Sequence, residues 1–154
     1  MKNKFSGAFP LWRVALLLFI APLTGRPAQA NELKFETQLI WASNDEKSPN
    51  PKHKEVEPEI RKKLAELPLK WKSYFEVNRK QFSVSKGVAS KVAMSEKCGI
   101  EVKDSDGKNV EVSLISKGEK VWTRKQPLPK GEILILSGNA PDKTAWLITL
   151  KRMD

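Results

Sequence analysis

His53 and Cys98 are the only histidine and the only cysteine in the 154 residues. Any thiol or hydroxyl nucleophile activated by an imidazole therefore has to recruit His53. That chemistry requires the ring to be fixed within hydrogen-bond reach of the nucleophile. His53 sits in Pro51-Lys52-His53-Lys54, the least patterned stretch of the chain, and no Gly-x-Ser-x-Gly elbow is present. The expectation is a loop histidine and a buried, structural Cys98 between strands. A disulfide between two chains is the alternative, because one cysteine cannot close an internal bridge.

Oxygen ligands and carboxylates lead to the same place. Asp104-Ser105-Asp106-Gly107 has the opening of a calcium loop, but Lys108 stands where further oxygen ligands are needed. A hairpin turn with local Asx bonding is the simpler expectation. One His and one Cys cannot assemble a zinc set. Glu36, Glu76, Glu101 and Glu111 fall on the polar phase of their segments, as solvated partners for cross-strand lysines rather than an acid and base pair. No catalytic residue, metal or cofactor is expected, and the chain is not expected to be an enzyme.

Charge is the more informative signal. The sequence carries 28 basic and 18 acidic residues, a formal +10. The run from Arg61 to Lys80 and the run from Lys117 to Lys130 are both strongly basic and hold aromatic residues. Cations beside aromatic faces suit sugars and anionic polymers through stacking and cation–π contact. Trp71 and Phe75 share an apolar phase and belong to the core. Lys72, Tyr74, Trp122, Arg124 and Lys125 remain as the candidate binding residues, with an ordinary solvated basic surface as the competing interpretation.

The elements that must position them are read from periodicity. Residues 32–42 alternate, with Leu33, Phe35, Thr37, Leu39 and Trp41 on one face, which predicts a half-buried strand. Residues 42–57 hold Pro49, Pro51 and many charges, which predicts an exposed linker. Pro58 to Leu67 is a short helix: Pro58 suits the first turn, and Ile60, Leu64 and Leu67 form an apolar stripe. From Lys70 onward short strands follow one another. Asp106-Gly107 and Lys117-Gly118 mark hairpins. Ile133-Leu134-Ile135-Leu136 does not alternate, which predicts a central strand covered on both sides. Trp146, Ile148 and Leu150 make the last strand.

This pattern predicts a mainly β chain of about eight or nine short strands with one helix, folded as a single antiparallel β-sandwich or a small barrel. The segment Leu128-Pro129-Lys130-Gly131-Glu132-Ile133 resembles the lead-in to a late strand in exported immunoglobulin-like sandwiches, with Ile133 where those domains usually carry Tyr. An immunoglobulin-like arrangement is what that resemblance implies.

Residues 1–30 read as a cleavable signal peptide. Lys2, Lys4 and Arg13 precede an apolar run from Val14 to Leu23, and Ala28-Gln29-Ala30 fits the small-x-small cleavage pattern. The apolar run is well short of the roughly 20 residues a spanning helix needs. Segment 1–30 holds four of the 28 basic residues and none of the 18 acids, so the remainder carries +6. Residues 31–41 are expected as an N-terminal strand, 42–57 as the linker and 58–154 as the helix with the β-domain. The expected protein is periplasmic or secreted, without a transmembrane segment in its mature form. It is a binding or accessory module whose partner is an anionic glycan, an acidic lipid or a protein of the envelope, and not nucleic acid. A structural or assembly subunit is the alternative, and a small exported hydrolase or thiol enzyme the third possibility.

Overall fold

The structure is a computed structural model that describes residues 32–139 and 143–154. The signal-peptide expectation for 1–30 lies outside the described residues. Nine strands and one helix occur among them: β1 Leu33–Ser43, β2 Lys54–Glu55, α1 Pro58–Ala65, β3 Ser73–Val84, β4 Ala89–Ala93, β5 Cys98–Asp104, β6 Asn109–Ser116, β7 Glu119–Pro127, β8 Ile133–Asn139 and β9 Ala145–Arg152. They form two antiparallel sheets and no closed barrel: a larger one ordered β2-β3-β1-β9-β8 and a smaller one ordered β4-β5-β6-β7.

The sheets face one another across the main core. Leu33, Phe35 and Leu39 of β1 meet Ile148 and Leu150 of β9 and Leu136 of β8 on one side. Met94, Ile100, Val102, Val110 and Val112 of the smaller sheet close the other. The opposite face of the larger sheet carries a second core, where Ile40, Ala42 and Leu147 pack with Val56 and with Ile60 and Leu64 of α1. A period of two along β1 therefore sends odd residues into one core and even residues toward the other.

Three expectations change against this architecture. The first strand is not half-buried. It is the middle of the larger sheet, paired with β3 on one side and β9 on the other, so its polar residues Glu36 and Gln38 are buried as well. Ile133–Leu136 is not central. It belongs to the edge strand β8, yet both its faces are covered: Leu134 and Leu136 pack on the inter-sheet core, Ile133 and Ile135 on the helix-side core. Two apolar layers explain a non-alternating strand as well as a central position does. The segment 42–57 is only partly an open linker. β2 pairs with β3, Val56 is buried, and its N–H donates to Tyr74 O at 3.4 Å. The helix ends two residues early, leaving Leu67 outside the stripe and 39% exposed.

The turns follow their chemistry. Gly107 has φ 80°, and Asp104 Oδ1 accepts the N–H groups of Asp106 and Gly107 at 3.1 and 2.6 Å. Asp106 Oδ1 accepts those of Lys108 and Asn109 at 3.0 and 2.6 Å. The oxygens that resembled a calcium loop are thus occupied by their own backbone. The N–H of Asn109, with its side-chain amide and the N–H of Lys108, holds the Asp106 carboxyl down to about 2.

On the helix-side face of the larger sheet, beside the start of α1, lies a charged cluster. Arg79 of β3 meets Glu36 Oε1 at 3.2 Å, Glu57 Oε1 at 2.8 Å and Glu76 Oε2 at 2.5 Å. Gln38 and Gln81 donate to the same Glu36 carboxylate at 3.2 and 3.0 Å. Burial alone would raise the Glu36 carboxyl, but the two amides and the Arg79 charge outweigh it and hold the group below 4.5. A group whose pKa is lowered on folding contributes stability above its unfolded pKa and loses it as pH falls through the folded one. Stability is therefore expected to be flat near neutrality and to fall from about pH 4.5 downward. In Glu36→Gln, urea midpoints at pH 7, 4 and 3 should fall below the parent most at pH 7, with the gap closing toward pH 3.

Thr37 is fully buried on the inter-sheet face, and its Oγ1 has no hydrogen-bond partner. An unpaired buried hydroxyl costs about 1–3 kcal/mol, which an apolar isostere avoids. Thr37→Val should raise the unfolding free energy by about 1 kcal/mol in urea titration.

Candidate functional site: a cavity at one end of the two sheets

The sheets are held close along β3 and β4. Asn78 Nδ2 donates to Met94 O at 2.8 Å, Lys80 Nζ to Ala93 O at 2.6 Å and Ser90 Oγ to Ser83 O at 3.0 Å. Away from that seam, at one end, they part around a cavity of about 770 Å³. Leu39, Val77, Leu136 and Ile148 line it from the larger sheet and Leu114 from the smaller, and Trp146, 40% exposed, stands on its wall. Its polar lining comes from two turns at the end of the smaller sheet, Ser95–Cys98 between β4 and β5 and Ser116–Lys117 between β6 and β7.

Local features of both sheets place the cavity there. The β1–β3 register shifts between Leu39 and Ile40, with Val77 as the extra residue. The β6–β7 register shifts between Leu114 and Ile115, with Val121 as the extra residue. A bulge bends its strand and breaks the ladder, and bulges concentrate at sheet ends and beside sites. Both of these shifts fall at cavity-lining residues. Gly138 enlarges the space. It lies opposite Trp146 on the face that carries Leu136, and a Cβ there would meet nothing closer than Trp146 O at 3.9 Å. Gly138 thus lies within β8 and stands on the cavity wall.

The five residues proposed from charge are not brought together. Lys72 is exposed just ahead of β3. Tyr74 is half-buried against the helix-side core, its O–H donating to Trp71 O at 3.0 Å, and burial raises its phenol above 10.0. Trp122, Arg124 and Lys125 lie on β7, the edge of the other sheet. Trp122 and Arg124 pair with Leu114 and Val112 on the inward phase, at an exposed edge, whereas Lys125 pairs with Glu111 on the outer phase. The outward phase of the smaller sheet is an ordinary charged surface, where Lys91 and Lys120 pair with Glu101. The Lys120 hydrogen bond outweighs burial and holds the Glu101 carboxyl below 4.5.

Trp71 and Phe75 do not share a face. The Phe75 ring lies 5.8 Å from that of Trp41, tilted by 30°, and Trp71 packs on the helix side with its Nε1–H donating to Lys143 O at 2.9 Å. Cys98 is half-buried rather than buried, because it opens β5 at the cavity end where the larger sheet does not cover it. Its Sγ lies 3.2 Å from Ser95 Oγ, while His53 Nδ1 lies 2.7 Å from Ser48 Oγ. The two groups have separate partners. Among the described residues no three His, Cys, Asp or Glu side chains gather as a metal site. No helix among them is long and apolar enough to cross a membrane.

From sequence, Leu136 and Ile148 are strand residues, Cys98 a buried thiol and Lys117 part of a turn; Gly138, between Ser137 and Asn139, carries no signal of a site. No protein-family model, curated protein or solved structure matches the chain.

The different surroundings of the two proposed aromatic contacts have a measurable consequence. Tyr74→Ala should cost about 2–4 kcal/mol in chemical denaturation, as a core truncation does. Trp122→Ala should cost less than about 1 kcal/mol, as a mostly exposed edge position does.

Proposed function

We propose that the protein is an exported, non-enzymatic binding module whose ligand enters the cavity between the two sheets. The observation that carries this reading is the cavity itself. Its volume, about 770 Å³, falls within the range of small-ligand sites, roughly 300–1,000 Å³. Mostly apolar walls with a small number of polar groups are the usual composition of such sites. Two register shifts and an open glycine all act to keep the space from being filled by the protein's own side chains. Export is supported by the leader-like composition of residues 1–30. An immunoglobulin-like variant of the two-sheet fold is supported by the Leu128–Ile133 segment.

Gly138→Leu tests the reading. A Cβ at this position meets no close contact, and a leucine there projects into the cavity and takes up part of its space. The parent should bind the neutral dye Nile red with a blue shift in its emission. The variant should keep or raise its melting temperature while its dye affinity falls by more than about tenfold, the equivalent of 1.4 kcal/mol. A parent that does not bind the dye, or a folded variant that binds it equally well, overturns the proposal.

A further inference from the structure

We infer that the occupant of the cavity is a single alkyl chain with one anionic head, a long-chain carboxylate whose head group rests between Lys97 and Lys117. The inference rests on the cavity being a binding site and adds the chemical class of what enters it.

Polarity within the lining is segregated. Every lining residue contributed by the larger sheet is apolar or glycine: Leu39, Val77, Leu136, Gly138, Trp146 and Ile148. The charged lining residues, Glu96, Lys97 and Lys117, are all exposed and all belong to the two turns at the mouth. A ligand that fits such a lining is apolar along its body and polar at one end only. A polar group carried deeper would be desolvated without a partner. The volume lies within the range of small-ligand sites and accommodates a twelve-carbon chain.

Charge at the mouth decides the head. Two cations face one anion there, and among the described residues no ion pair engages Glu96, Lys97 or Lys117. The two turns are tied to each other, because Lys117 N–H donates to Lys97 O at 2.8 Å. That bond keeps the two lysines adjacent at the opening. Lys117 and Gly118 both have positive φ, 51° and 84°. A two-residue hairpin turn with this geometry favours Asn, Asp or Gly at its first position. A lysine there accepts an unfavourable backbone conformation, and the position brings a cation to the mouth.

The test is displacement of Nile red from the mature protein by three twelve-carbon probes below their micelle concentrations: sodium laurate, 1-dodecanol and dodecyltrimethylammonium. Laurate should bind about tenfold tighter than dodecanol, equivalent to 1.4 kcal/mol, and dodecyltrimethylammonium weaker than either. Shortening the carboxylate should weaken binding by about fourfold per methylene, the equivalent of 0.8 kcal/mol. Lys97→Gln combined with Lys117→Asn, where Asn suits the left-handed backbone, should abolish the preference for laurate. Dodecanol and dye affinity should not change. Dye and dodecanol binding without a preference for laurate overturns this inference and leaves the cavity reading intact. A laurate preference that survives in the double variant also overturns it, since the head would then be held elsewhere. Absence of all binding to the folded parent overturns both.

Discussion

Every side chain of β1 except that of Lys34 has to find its partner away from water, because from Phe35 to Ala42 the strand has neither a free edge nor a free face. β3 and β9 take its hydrogen bonds, the smaller sheet covers its odd residues, and the helix layer covers its even ones. The constraint propagates outward. Where the even residues are apolar, Ile40 and Ala42, a short helix can be seated on them, and Ile60 and Leu64 are sufficient to hold it. Where they are polar, Glu36 and Gln38, the neighbouring strand must supply a cation and amides in compensation, which is the role of Arg79 and Gln81. A helix of eight residues has little stability of its own, so α1 is a consequence of this sheet and not a foundation for it.

The same strand sets the floor of the cavity. Leu39 is the last odd residue of β1 that belongs to the inter-sheet core; Trp41, the next, packs against Phe75 and lies 6.5 Å from His53. The bulge beside Leu39 gives β3 an extra residue at the point where the close packing of the two sheets ends. The smaller sheet has its own bulge on the facing wall. A close-packed interior would leave few voids larger than a water molecule. The space at this end therefore reflects the backbone geometry of both sheets rather than a single undersized side chain.

Much of the fold was legible because it depends on local rules. The period of two along β1, β3 and β9, the Asp106-Gly107 and Lys117-Gly118 turns and the Pro58 helix start all express short-range preferences, and all occur where those preferences place them. What was not legible depends on sheet order. Nothing within residues 33–43 says that β9 will pair beside them, and without that pairing Glu36 and Gln38 look solvated. Nothing within Ile133–Leu136 distinguishes a central strand from an edge strand lying between two cores. The candidate site was less legible still. Lys72, Tyr74, Trp122, Arg124 and Lys125 were linked by composition, but β3 and β7 belong to different sheets. The cavity lining is assembled from β1, β3, β6, β8, β9 and two turns, and no local pattern in the sequence links them.

The pairing of β1 with β9 also fixes an order of events. Phe35 lies opposite Arg152, so the first and last strands of the domain are neighbours in one sheet. Contacts this distant along the chain must pay the entropy of closing a very long loop before they are rewarded, and chains dominated by them fold in milliseconds to seconds rather than microseconds. The smaller sheet has no such delay, since β4 to β7 are successive hairpins. A chain that emerges from its N-terminus can therefore complete that meander while β1 still waits, with one flank unpaired, for its final residues. During that interval β1 is an adhesive edge, its β9 flank without a partner. Loss of even the last strand would make that transient condition permanent.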